Sequence, residues 1–438
     1  MKKNIEKIVE ENLCCGCGTC SSTCPQQAIT MVRNTAGFLV PEVDHNKCND
    51  CGICLLTCPG NGLPEDLTNR YDDIFRGNNI AAYIGRATDE ELWKNGQSGG
   101  VVSALLMYLL ENKIIDKAVV NSFNPKTNKP IVTYVKDREG LIKSQGSYYS
   151  QSAVNEKAIN NTSEKTAAVV LGCQAQGIAL SKKYTNKGTP DYLIGLVCTG
   201  NHSNLIIDDL IEQSGLESEK TTEFRFKDKR AGGWPGNILI KTNDQQKIMD
   251  KKKRMILKDI YGVYRCQCCF DKMNIFSDIV VGDPWGIEAE DKKGGLSVFI
   301  IRTEKGQDLI NKVIDNKYLI ADKIDINSVY KGQKIDSTTK TKFFGTKEIC
   351  KKENFPFPDY NIDWSKYKYR KASKSLKRHF SKLLKYKFYL YNVENRNKLN
   401  KIIRKQKRLL ALKNTLLKSA SLVKHSIKRI FRLFTKKI

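Results

Sequence analysis

No stretch of the 438-residue sequence approaches the roughly 20 consecutive apolar residues that cross a bilayer. The longest apolar run, "VVSALLMYLL", falls well short. The opening residues also lack the charged, apolar and small-residue segments of a secretory leader. A short disulfide-stapled secreted scaffold is thereby excluded, and the 15 cysteines are expected in a reducing, oxygen-poor cytoplasm. Histidine is scarce. Only His45, His202, His379 and His425 occur, so little histidine acid–base chemistry is available and no catalytic residue is assigned. Acidic side chains are nearly missing from one end. Residues 365–438 hold 25 Lys/Arg and one acid, Glu394, whereas the other residues carry 49 basic and 46 acidic side chains. The formal charge of +27 is therefore a property of the tail, and no nucleic-acid-binding module accompanies it.

Cysteine, by contrast, is concentrated. "CCGCGTCSSTCP" places Cys14, Cys17, Cys20 and Cys24 at C-x2-C-x2-C-x3-C spacing and ends in Pro25. "CNDCGICLLTCP" repeats the pattern with Cys48, Cys51, Cys54, Cys58 and Pro59. This is the run of bacterial-type two-cluster ferredoxins, in which the fourth cysteine of each run serves the other cluster. One 4Fe-4S cube is expected on Cys14, Cys17, Cys20 and Cys58, and a second on Cys48, Cys51, Cys54 and Cys24. Three thiolates on one loop need a tightly wrapped backbone, which Gly16, Gly18 and Gly52 permit, and the proline then turns the chain away. A structural zinc usually takes two ligands from each of two knuckles instead. Cys15 is surplus and is expected to be a bystander.

The predicted fold class is α+β: a ferredoxin-like two-cluster domain over residues 1–62, a polar linker over 63–79, an α/β body over 80–345 (flavin-binding by the resemblance given below), a second linker over 346–364, and a basic helical tail over 365–438. Within the body, 80–165 forms the N-terminal part and 166–345 the C-terminal part. "DKAVVNSF", "TAAVVLGC", "DYLIGLVC", "SDIVVGD" and "LSVFIIRT" read as buried strands of a mixed or parallel sheet. "GQSGGVVSALLMYLLENK" reads as a glycine-rich turn opening a helix, and its free N–H groups could hold a pyrophosphate or simply pack the helix closely. Cys173 and Cys198 end two of the strands, where ligands gather in open α/β sheets. With Cys266 and Cys269 of "YRCQCCF" they make four thiols, the number a third cube needs. Buried apolar cysteines and a partial zinc knuckle are the alternatives.

The stretches "GQSGGVVSALLMYLLENKIIDKAVV", "QGSYYSQS", "GCQAQGIAL", "IGLVCTGNHS", "FRFKDKRAGGW", "RCQCCF", "DIVVGDPWGIE" and "GGLSVFIIRTEKG" together resemble the family of coenzyme F-420 hydrogenase/dehydrogenase beta subunits. The resemblance implies a third 4Fe-4S cluster on Cys173, Cys198, Cys266 and Cys269. It also implies an FAD against Ser98, Gly99, Gly100, Gly146, Ser147, Lys229, Asp283 and Trp285, with coenzyme F-420 itself a weaker expectation. Two positions depart from the family's pattern. Val170-Leu171-Gly172 stands where Gly-Thr-Pro is usual, and Tyr148 where lysine is usual. His202, alone among the histidines, lies in a matching stretch, and a structural role is expected for it.

The expected function is that of an iron–sulfur flavoprotein oxidoreductase, taking electrons from a donor such as ferredoxin or a reductase and passing them through three clusters to FAD and a small-molecule substrate. A step in surface-polysaccharide biosynthesis is one assignment by analogy. The alternative is a non-catalytic electron-transfer subunit of a larger hydrogenase or dehydrogenase, and a third reading keeps only a two-cube scaffold. In the tail, Leu399, Ile402, Ile403, Leu409, Leu410, Leu416, Leu417, Val423, Ile427, Ile430, Phe431 and Phe434 recur at helical spacing among Lys/Arg, predicting basic amphipathic helices. Such helices suit the inner membrane surface, a partner protein, or the body of the chain itself.

Overall fold

The computed structural model describes residues 3–160, 163–230 and 232–409. Its strands are β1 Ile29–Arg33, β2 Leu39–Val43, β3 Ala81–Ala87, β4 Lys117–Asn124, β5 Lys129–Val135, β6 Thr166–Val170, β7 Tyr192–Leu196, β8 Thr221–Asp228, β9 Asn237–Thr242, β10 Gln246–Met249, β11 Ile279–Gly282, β12 Ser297–Ile301 and β13 Leu319–Lys323. The fold is mixed α/β. An eight-stranded sheet in the order β13-β3-β12-β11-β7-β6-β4-β5 forms its centre. The inner strands β11, β7, β6 and β4 run parallel, and antiparallel neighbours close both sides. The five apolar runs singled out above supply β4, β6, β7, β11 and β12, because β-branched residues buried on both faces favour interior strands. A separate antiparallel sheet, β10-β9-β8, carries the "FRFKDK" stretch.

The helix Val101–Glu111 follows the glycine-rich turn, with Gly100 at its N-cap, and buries most of its length against the sheet. The dicluster region is clamped to the body. Gly16 and Gly18 have positive φ, and a Cβ on either would strike Gln151 or Ala153 at about 2.9 or 2.8 Å. Asn155 N–H donates to Cys17 O at 3.0 Å, and Ser22 Oγ donates to Asn155 O at 2.7 Å.

Neither expected linker is one. Tyr71, Ile74 and Phe75 from the first, and Tyr360 with half-buried Trp364 from the second, pack with Phe270, Phe343 and Phe344 into one aromatic cluster. The polar residues around them mask an irregularly spaced apolar set that only long-range packing assembles. The tail also differs from a free appendage. Its helix Lys374–Tyr391 is capped by Ser373, whose Oγ accepts from Leu376 N–H. The helix buries Phe380, Leu384, Lys387, Leu390 and Tyr391, and Leu399 and Ile403 continue the same packing against Phe38, Leu205 and Ile260. Half-buried Ile402 packs there too, while Leu409 is exposed. The expectations for Leu410, Leu416, Leu417, Val423, Ile427, Ile430, Phe431 and Phe434 lie outside the described residues. No helix among the described residues is long and apolar enough to cross a membrane.

Candidate functional site

The two N-terminal cysteine runs fold so that each fourth cysteine crosses to the other run. Cys14 and Cys20 face Cys17 and Cys58 electrostatically, and Cys54 faces Cys24, Cys51 and Cys48. The two groups differ in exposure. Cys14, Cys17, Cys20 and Cys58 are buried, whereas Cys51 is exposed and Cys24 and Cys48 are partly so. Burial pushes the Cys58 thiol up to about 12 and Cys54 to about 11. Since iron binds thiolate, loading such a site must release protons.

Cys173, Cys198, Cys266 and Cys269 come together from three separate loops. Cys173 lies in the first turn of the helix Gly172–Tyr184 after β6, Cys198 just beyond β7, and the last two around the short helical turn Arg265–Cys268. Cys173 faces Cys266 and Cys198, and Cys198 faces Cys266 and Cys269. Backbone N–H groups aim at their sulfurs as they do in the dicluster region. Gly200 N–H reaches Cys198 Sγ at 3.4 Å and Asn201 N–H reaches Cys266 Sγ at 3.3 Å, matching Gly16 to Cys14 at 3.4 Å and Gly60 to Cys58 at 3.3 Å. Such bonds stabilise thiolate and tune cluster potentials. Among the described residues no three His, Cys, Asp or Glu side chains converge on a single metal ion. Four thiols in each set, with backbone N–H groups on their sulfurs, are the donor chemistry a 4Fe-4S cube takes.

Cys15 is 8% exposed, and its thiol lies beside Cys17 and Cys173, near enough that each influences the other's ionisation. One surplus side chain thus spans the gap between the first cube's ligands and the body's set. Cys268 turns the other way, into a buried group with Cys350 and Tyr264, which explains why only its two neighbours join the four. Lys387 was also unforeseen. The tail helix carries it, 1% exposed, to where it faces Cys266. Its position among Phe380, Leu384 and Tyr391 on one helical stripe was the available signal, since a lysine on an apolar stripe is out of place.

The expected flavin contacts meet in part. Asp283, just past β11, accepts from Ser98 Oγ, from Lys227 Nζ at 2.7 Å and from Trp234 Nε1 at 3.4 Å. Despite burial, Lys227 and its partners hold the carboxyl below the usual range, so the pair is ionised. Trp234 and Trp285 lie with ring centroids 4.7 Å apart, and Trp285 is 42% exposed. Lys229 donates to Ser98 O, and burial holds its amine down at about 8. One N–H of the turn is already taken. Gly99 N–H is spent on Ser297 Oγ at 2.9 Å, and a Cβ on Gly99 or Gly100 would strike Gly85 O at 2.5 Å or Leu92 O at 2.7 Å. Close packing accounts for both glycines. Gly146 has φ +126, and a Cβ there would meet the Tyr148 hydroxyl at 3.9 Å; half-buried Ser147 follows it. Tyr148, in the departing position, is buried and stacks on Phe123. His202 is structural: its Nδ1–H donates to Tyr149 O at 2.7 Å, and burial lowers its pKa to about 3.

Comparison with known proteins agrees with this layout. Residues 13–61 match the 4Fe-4S dicluster domain. Residues 82–160 and 163–327 match the N-terminal and C-terminal parts of the coenzyme F420 hydrogenase/dehydrogenase beta subunit, together more than half of the chain. A coenzyme F420-dependent sulfite reductase from Methanocaldococcus jannaschii is 29% identical over 70% of this chain, and the match spans only 47% of that longer protein. One of the subunits of the F(420)H(2) dehydrogenase of Methanosarcina mazei is 26% identical over 81% of this chain and 97% of its own length. A chain of the F420-reducing NiFe hydrogenase complex from Methanosarcina barkeri shares the fold over 66% of this chain and 98% of its own, with a TM-score of 0.51 at 20% identity. The chain belongs to the family of coenzyme F420 hydrogenase/dehydrogenase beta subunits, with a 4Fe-4S dicluster domain ahead of that family's two parts.

Proposed function

We propose that this protein is an iron–sulfur electron-transfer subunit, moving single electrons between a partner at its surface and a redox enzyme to which it is bound. The order of stations rests on exposure for the two dicluster cubes and on the position of Cys15 for the third. The second cube, on Cys24, Cys48, Cys51 and Cys54, reaches the surface and exchanges electrons with a soluble donor. The first cube, on Cys14, Cys17, Cys20 and Cys58, lies inside. The third, on Cys173, Cys198, Cys266 and Cys269, lies beyond Cys15 in the body. The observation that carries this reading is the Cys15 thiol lying beside both Cys17 and Cys173, which supports a path from the dicluster region into the body. Relatives named as subunits of F420-linked hydrogenase and dehydrogenase assemblies support a partner enzyme in place of a self-contained one.

A second reading is an oxidoreductase carrying FAD and acting on a small organic molecule, with surface-polysaccharide modification among its candidate settings. One-electron cubes need a two-electron converter before they can serve hydride chemistry, and the ionised Lys227–Asp283 pair beneath Trp234 and Trp285 is the feature that favours it. One N–H of the Ser98–Gly100 turn is already taken by Ser297 Oγ, and the relatives named as subunits favour the electron-transfer reading. Anaerobic reconstitution of the full chain with iron, sulfide and FAD distinguishes them. About twelve irons per chain, at four per cube, with no retained flavin is the expected result. One FAD per chain favours the second reading. About eight irons, unchanged by Cys173→Ala, overturns the third cluster and the path built on it.

A further inference from the structure

One buried cation on this path has no anion of its own. Arg265 is 1% exposed. Its Nη2 donates to Pro59 O at 2.9 Å, which ties it to the residue after Cys58, while its Nε–H is buried without a partner. Among the described residues no carboxylate pairs with it. The groups that face it are Tyr360, Cys269, Cys15 and Cys268, and its charge also acts on Cys58. The Tyr360 ring lies beneath the guanidinium, 5.4 Å away. A charge taken out of water is tolerated only with compensation, and neutral thiols supply little. Four thiolates around a cube, by contrast, form a net anion, and Arg265 has one candidate cube on each side.

We propose that Arg265 is a shared electrostatic clamp between the first and third cubes, giving its unpartnered N–H to sulfur and raising the reduction potentials of both relative to the second. This rests on the three-cluster reading above and assigns the residue that sets its energetic profile. Adding an electron makes a cube more negative, so a fixed neighbouring cation favours the reduced form, and a hydrogen bond to sulfur acts the same way. Arginine suits the position because it stays charged in any protein setting. Its planar fork also lets one nitrogen hold the Pro59 carbonyl while another faces sulfur. Among the described residues, the groups acting on Cys54 of the second cube are Ile5 N–H and the thiols Cys24, Cys51 and Cys48, with no cation among them.

The test is a potentiometric titration followed by electron paramagnetic resonance on the reconstituted full chain, comparing wild type, Arg265→Met and Arg265→Lys at measured iron content. In Arg265→Met the reduced-to-oxidised ratio of the first and third cubes should fall about tenfold at a fixed poise, about 59 mV for a one-electron couple, with the second cube unmoved. Arg265→Lys should fall in between. Unmoved first and third midpoints at twelve irons, or an equal shift in all three cubes, overturns the clamp alone. Eight irons in the wild type overturns the reading beneath it. If Arg265→Met does not fold, Arg265→Gln, which loses the charge but keeps a donor, is read by the same outcomes.

Discussion

His202 shows how one buried side chain makes stability depend on pH. Its ring is neutral in the fold, donating from Nδ1 to Tyr149 O, and burial lowers its pKa from 6.5 to about 3. Above pH 6.5 folded and unfolded chains are both neutral there, so nothing is lost. Below it the unfolded chain takes up a proton that the fold refuses, and stability falls by up to about 1.4 kcal/mol per pH unit until the folded value is reached. Urea unfolding at pH 7.5 and 5.5 should therefore show a lower midpoint at the acid pH. His202→Asn, which removes the titrating ring, should flatten that part of the slope. A His202 exposed enough to titrate normally would leave wild type and variant parallel.

At the scale of elements, the helix Lys374–Tyr391 is the informative one. Its basic amphipathic pattern is compatible with a lipid surface or with the protein's own core, and packing chooses the core: Leu390 is buried, whereas Tyr389 beside it is 46% exposed. Truncating a buried leucine leaves a cavity, so Leu390→Ala should cost about 2–5 kcal/mol. Tyr389→Ala should stay within about 0.5 kcal/mol. Denaturant titration of both variants checks this, and a helix facing outward through Leu390 would reverse the order.

Over the whole molecule, the candidate cubes differ in exposure. Cys51 is exposed and Cys24 and Cys48 are partly so, all four ligands of the first cube are buried, and the four of the third set lie between these extremes. Attack by oxygen needs access, so brief exposure to air should remove about four irons first, leaving the remainder longer-lived. Iron content followed against time, with the spectra of each cube, tests this. Uniform loss of all twelve would mean that burial does not shield the first cube.

Much of this was legible in local spacing. A thiolate loop is set by neighbours two or three residues apart, so the eight dicluster cysteines announced themselves, and so did β4, β6, β7, β11 and β12, whose β-branched runs report burial directly. The apparent linkers did not, because Phe75 and Trp364 gain their role only from each other and from Phe343. The same limit hid the centre of the path. Nothing near Cys15 in the chain predicts Cys173, nothing near Pro59 predicts Arg265, and nothing near Lys387 predicts Cys266. By itself the sequence determined which cysteines carry the spacing of a 4Fe-4S dicluster domain and which segments build the sheet, since both depend on short-range geometry. Only the tertiary structure decided what lies between the metal sites, because contact across hundreds of residues depends on how the whole core packs.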